Sequence, residues 1–211
     1  MTADDFAERL ASAAPTPGGG AAAARTGRHA AALLRMSLAI TLGKTTEPSA
    51  DSRAALEEAS RQAAILQAAF EELEKSDMAA FERYLEALRL PRSTPEEKAR
   101  RRDERARAAE KAAVVPLEVM AAAAIALELS EKLLDPASGG ALKAESDIGC
   151  SIELAWAAFR AAEMNVAVNL PEIEPGTRNV LEVRWRDLLP RARHAYETAR
   201  SRIARKLGLH G

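Results

Sequence analysis

Ten positions between residues 56 and 87 alternate in steps of three and four, and they constrain the fold more than any other feature of the chain. They are Leu56, Ala59, Ala63, Leu66, Phe70, Leu73, Asp77, Ala80, Tyr84 and Ala87. This spacing draws a single stripe along a helix of about nine turns, and a stripe that long must lie against other helices. Nine of the ten side chains are apolar or aromatic, and the tenth, Asp77, is a carboxylate. A carboxylate on such a stripe has to be hydrogen-bonded, paired, or raised in pKa by desolvation. Perturbed carboxylates gather at active sites, but a structural Asp tied to a neighbouring helix or a partner subunit fits the position equally well. If the charge is only a cost of function, an apolar residue at 77 completes the stripe and stabilises the fold.

Proline and glycine punctuate the rest of the chain into about six helical segments, roughly 3–13, 18–42, 50–89, 94–134, 142–169 and 177–207. The breaks are "PTPGGG", "GKTTEPS", "LPRSTP", "DPASGG" and "LPEIEPG". Pro116 and Pro190 fall inside segments and are expected to kink or split them. Alanine, leucine, glutamate and arginine dominate, runs of β-branched residues are missing, and the spacing predicts a single all-α domain spanning 1–211. The second segment carries so much alanine that it needs neighbours on several sides, either as a central helix or at a subunit interface.

Charge excludes some classes of partner. With 30 basic and 31 acidic residues interspersed, a nucleic-acid or membrane-surface protein is not expected. The start, "MTADDFAERL", is acidic where a signal peptide is basic, and no run approaches the ~18 uncharged apolar residues of a membrane span. The single cysteine, Cys150, suits a reducing, cytoplasmic setting and reads as a small packing residue. His29, His194 and His210 lack metal-ligand spacing, so no metal site is expected.

Gly18-Gly19-Gly20 raises the question of a phosphate loop. Gly43-Lys44-Thr45 supplies the end of one, but the first glycine that motif requires falls at Leu38, and no strand precedes it. The nucleotide reading fails. What remains is the start of a closely packed helix, whose free N–H groups can also bind a carboxylate or a ring carbonyl. In the fifth segment Asp147, Ser151, Leu154, Ala158, Ala161 and Asn165 share one face, with Asn169 a turn beyond. Asp147 and Asn165 stand about 27 Å apart on a straight helix, too far to touch one reacting atom within one subunit. Ser146-Asp147 fits an N-cap, and Asn165 and Asn169 can bridge either a ligand or neighbouring helices. The run from Glu96 to Lys111 alternates in sign like a solvated helix face, although its arginines can also attract an acidic substrate tail.

Taken together, six blocks resemble the cyclodeaminase/cyclohydrolase family, which includes the C-terminal domain of formiminotransferase-cyclodeaminase and standalone methenyltetrahydrofolate cyclohydrolases. They are "SAAPTPGGGAAAARTG" at 12–27, "ITLGK" at 40–44, "SDMAAF" and "LRLP" within 76–91, "TPEEKARR" at 94–101, "VPLEV" at 115–119, and "SDIGCS" and "NVAVNL" within 146–170. The resemblance implies an all-helical homodimer with a folate crevice near its interface and a functional carboxylate at Asp77. It implies that Pro17, Gly18, Gly19 and Gly20 open a packed helix beside the folate site. It also puts Lys44 in a matching block as a second catalytic candidate, and Asp147, Asn165 and Asn169 as substrate-binding ones. The chain departs from the family pattern after Lys44, where an aromatic is usual, and after Arg101, where Arg102-Asp103-Glu104-Arg105 replaces small apolar residues.

The implied chemistry concerns the one-carbon unit between N5 and N10 of tetrahydrofolate, with no cofactor beyond that substrate. Hydrolysis of the 5,10-methenyl bridge to 10-formyltetrahydrofolate is the first expectation. Formiminotetrahydrofolate cyclodeamination, which releases ammonia, is the second. With 211 residues the chain has no room for a transferase domain, so cyclodeamination needs a separate supplier of formiminofolate. A non-catalytic helical dimer that binds a ligand is the third.

Overall fold

The computed structural model describes residues 3–44, 50–135 and 142–209. The segments 45–49 and 136–141, on which two of the expected breaks fall, and His210 lie outside the described residues. Among the described residues six helices follow one another: α1 (Ala3–Leu10), α2 (Gly19–Lys44), α3 (Ala50–Arg89), α4 (Pro95–Leu133), α5 (Glu145–Asn169) and α6 (Pro175–Leu207), with a 3₁₀ turn at Leu170–Glu172 before α6. Among the described residues there is no strand.

Local chemistry explains the boundaries. Thr94 begins α4 with a full capping box, its hydroxyl accepting from the Glu97 N–H while the Glu97 carboxylate accepts from the Thr94 N–H, and Pro95 fills the first position. Glu174 caps α6 through the Gly176 N–H at 2.9 Å, followed by Pro175. Gly208 closes α6 in the left-handed region, where glycine carries no steric penalty. The expected Ser146-Asp147 cap of α5 is not formed. Its N-cap is Ala144, itself left-handed, and Ser146 and Asp147 lie inside the first turn with no side-chain cap bond.

The core is built around α2, which packs against α3, α5 and α4. Alanine and glycine permit this: Ala23, Ala24, Ala30 and Ala31 are fully buried, and a Cβ on Gly27 would stand 2.6 Å from Cζ of Phe70. Ser151 of α5 donates to the Ala30 carbonyl across that seam at 2.8 Å. An 18-residue window of α4 is long and apolar enough to span a membrane, but 72% of it is buried inside the bundle. The alanine-rich helix is therefore the centre of the molecule. α6 is fixed on the outside by Trp156, which stacks on Phe159 and Tyr196, and by Trp185, which donates to buried Glu163.

Neither internal proline splits its helix; α4 and α6 both run through theirs. Pro116 has no N–H, so the carbonyl four residues earlier, at Ala112, loses its helical donor. The Asn169 side-chain amide replaces it, donating to that carbonyl at 2.8 Å and to the Asn165 carbonyl at 2.9 Å. Asn169 thus joins the end of α5 to α4 at the proline. Pro190 is exposed, so solvent can serve the Arg186 carbonyl.

This account makes a coupled prediction. Asn169→Ala leaves a backbone acceptor unpaired and should cost about 1–3 kcal/mol in urea unfolding. In a Pro116→Ala background the returned N–H can serve Ala112, so the same substitution should cost clearly less. Equal costs in both backgrounds would separate Asn169 from the proline.

Candidate active site

The start of α2 meets α3 at Asp77. The Gly18 carbonyl accepts the first helical bond, from the Ala22 N–H, so Gly18 occupies the N-cap position and offers no side chain to the free N–H groups that follow. Asp77 supplies that group from the neighbouring helix, its carboxylate set against the first turn of α2 beside the Ala21 N–H. The approach is close enough that a Cβ on Gly20 would overlap Asp77 Oδ1 and stand 2.6 Å from its Cγ. Gly20 is the condition for the contact. Gly19 faces Asn165, whose Nδ2 would stand 3.3 Å from a Cβ there.

These residues line one cleft of about 190 Å³, shared by Pro15, Thr16, Gly18, Gly19, Gly20, Asp77, Phe81, Ala112, Asn165, Val168 and Asn169. Burial pushes the Asp77 carboxyl up, and the Ala21 N–H holds it partly down, leaving it at about 6 against an ordinary 3.8. A group poised there holds or releases a proton near neutral pH.

The cleft gathers most of the residues singled out in the sequence and leaves three out. Asp77, Gly18, Gly19, Gly20, Asn165 and Asn169 line it. Pro17 does not; it is buried, and its peptide bond to Thr16 is cis. Lys44 ends α2, about 36 Å along the helix from Gly20, and cannot act with Asp77 in the same chain. Asp147 lies in the first turn of α5, at that same far end, where the Lys143 N–H donates to Thr41 of α2. Cys150 is exposed, not packed. It lines a larger groove of about 900 Å³ between α5 and α6, where Tyr196 and Arg200 both donate to Glu153.

The structure adds groups that the stripe could not reveal. Glu74, one turn before Asp77, is buried and receives the Arg25 fork at 2.9 and 2.5 Å. The Arg25 guanidinium in turn lies 3.6 Å from the ring centroid of buried Phe6, which holds α1 over this end of the bundle. On the other side of Asp77, Thr16 donates to Glu82 at 3.0 Å, and Arg9 donates to the Thr16 carbonyl at 2.9 Å. α2 and the loop before it are therefore tied to α3 on both sides of the carboxylate.

Two stability outcomes follow. Because the folded state holds the Asp77 proton more tightly than the unfolded chain, the stabilisation is present below about pH 4 and is lost as pH rises through about 6. Asp77→Asn should flatten this slope in thermal unfolding while keeping an acceptor for Ala21. Asp77→Leu removes the cap instead of completing an apolar stripe. It should be less stable than the Asn variant by about 1 kcal/mol, contrary to the expectation from the stripe alone.

Comparison with known proteins identifies the family and the fold. The family model for formiminotransferase-cyclodeaminase matches residues 2–181. Methenyltetrahydrofolate cyclohydrolase of Methylorubrum extorquens is 34% identical over 211 residues, 96% of this chain and 97% of that protein. Formimidoyltransferase-cyclodeaminase of Sus scrofa is 30% identical over 168 residues, 80% of this chain but 30% of that longer protein. The crystal structure of formiminotetrahydrofolate cyclodeaminase from Thermotoga maritima superposes with a TM-score of 0.83 at 23% identity, covering 98% of both chains, and shares the fold. The chain belongs to the formiminotransferase-cyclodeaminase family.

Proposed function

We propose that the protein is a cytoplasmic homodimer that hydrolyses 5,10-methenyltetrahydrofolate to 10-formyltetrahydrofolate, with Asp77 as the acid/base. The observation that carries the chemistry is a single carboxylate raised to about 6 in a cleft, held against the start of α2. The choice of hydrolysis rests on the full-length likeness to a methenyltetrahydrofolate cyclohydrolase. The likenesses to cyclodeaminases support formiminotetrahydrofolate cyclodeamination as the second reading, since it passes through the same bridged carbon.

In the proposed reaction water adds through oxygen to the methenyl carbon, and one of its protons passes to ionised Asp77. The bond from that carbon to N5 breaks as Asp77 returns the proton to N5. The remaining hydroxyl proton leaves as the formyl C=O forms, so the cation and water yield neutral product and one proton. Ionised Asp77 also favours the delocalised cation before attack. The Asn165 amide donates to the Ala161 carbonyl and keeps its oxygen as an acceptor for a ring N–H. At about 190 Å³ the cleft is smaller than the several hundred Å³ that enclose a whole ligand of this kind, so it takes the reacting rings and leaves the tail outside.

A groove of about 350 Å³ nearby suits that tail. It is lined by Arg92, Lys98, Arg101, Arg102, Arg105, Ala106 and Glu172, and Lys98, Arg101 and Arg105 share the α4 face that carries Ala112 into the cleft. The Arg101 fork is engaged, donating to the Leu88 carbonyl and closing the α3–α4 turn. Arg105 donates to Glu172, and its buried Nε has no partner.

Three outcomes test this reading. With methenyltetrahydrofolate the wild type should bleach the near-ultraviolet absorbance of the cation, and Asp77→Asn should stay folded but lose about 10²–10⁴-fold in kcat. Near-normal turnover in that variant removes Asp77 from the mechanism. Reversing charge at Lys98 and Arg102 should raise KM more for polyglutamylated than for monoglutamylated folate, an effect that fades with salt. Sedimentation at micromolar concentration should show a dimer, and a 22.6 kDa species alone would contradict one.

A further inference from the structure

We propose that Phe81 is the platform on which the charged, planar ring of the substrate lies, and that it favours the methenyl cation over the neutral product. This rests on the folate reading of the cleft. Phe81 follows Asp77 by one turn of α3, so both side chains face the same side and both line the cleft. Phenylalanine is among the residues most often buried, yet Phe81 is 40% exposed. It is the only aromatic among the described residues that line the cleft. Its ring stacks with that of Tyr84, at a centroid separation of 6.5 Å and an interplanar angle of 27°.

The opposite helix supplies a second apolar wall. Val168 of α5 is 69% exposed and lines the cleft close to Asn165. The site thus has a polar floor, made by Asp77, Asn165 and the start of α2, between apolar groups from α3 and α5. A flat ring with polar edges and apolar faces matches that layout: its edge meets Asp77 and Asn165, and its face meets Phe81. The methenyl bridge carries a delocalised positive charge, and the electron-rich face of a benzene ring attracts such a charge in a partly desolvated site. The neutral formyl product gains no such attraction, so the same contact that holds the substrate lets the product go.

The test compares Phe81→Leu, Phe81→Tyr and Phe81→Trp in the full chain, using methenyltetrahydrofolate as substrate and 10-formyltetrahydrofolate as competing product. Leucine keeps apolar bulk at a half-exposed position and removes the ring. It should raise KM for the cation by about 3- to 30-fold, change kcat little, and alter the product inhibition constant much less. Tyrosine and tryptophan should restore KM. Equal weakening of cation and product would overturn the proposal, because the contact would then be merely apolar. An unmoved KM would overturn it as well, as would a KM change that tracks dissociation of the protein in sedimentation. A wild type that does not turn over the methenyl cation would fail the functional reading and this inference with it, whereas an active wild type with an indifferent Phe81→Leu would fail this inference alone.

Discussion

The site depends on one close approach between helices, the carboxylate of Asp77 set against the start of α2 at Gly20 and Ala21. The start of a helix leaves several N–H groups without partners and carries partial positive charge. α2 begins on three glycines and has no side chain of its own to answer them, so α3 supplies a carboxylate from outside. That arrangement requires Gly20 to lack a Cβ, and it draws α2 and α3 into a seam where Gly27 meets Phe70 in the same way. The small residues of α2 therefore serve the site as well as the core. They set the depth at which Asp77 sits.

Depth decides the chemistry. Exposed at a helix start, an aspartate would ionise well below neutrality, and fully buried without a partner it would stay protonated. Asp77 lies between these limits, with burial raising its pKa and one backbone donor lowering it. The neighbouring acids of α3 have partners of their own. Glu74, the nearest acid on the same helix, is matched by Arg25, and Glu82 receives a hydrogen bond from Thr16. The contacts of Phe6, Arg9 and Thr16 fix the loop beside the carboxylate.

Much of this was legible in the sequence, for stated physical reasons. Helix formers broken by Pro and Gly gave segments whose ends agree with the helices to within a few residues, and a three-and-four spacing isolated Asp77. Spacing gives a face, not its depth: half-buried Asp77 belongs to the stripe, while the more deeply buried Glu74 lies beside it and needed α2 to be placed next to α3. Its signal was the complementary Arg25 in an otherwise alanine-rich stretch. Lys44 and Asp147 shared sequence blocks with the site but lie at the far end of long helices, where linear proximity to a motif says nothing. Asn169 was legible as polar but not as the donor that compensates Pro116, because that bond joins residues 57 positions apart. The expected cap at Ser146-Asp147 failed because Ala144 turns the chain into α5 in a left-handed conformation that sequence does not announce.

The central claim is that this packing places an aspartate proton in the neutral range. Carbon-13 NMR of the side-chain carboxyl carbons, titrated from pH 3 to 8 in wild type and Asp77→Asn, measures it directly. The account predicts one resonance with a midpoint near 6 that disappears in the variant. A midpoint for Asp77 near the ordinary 3.8 would contradict it.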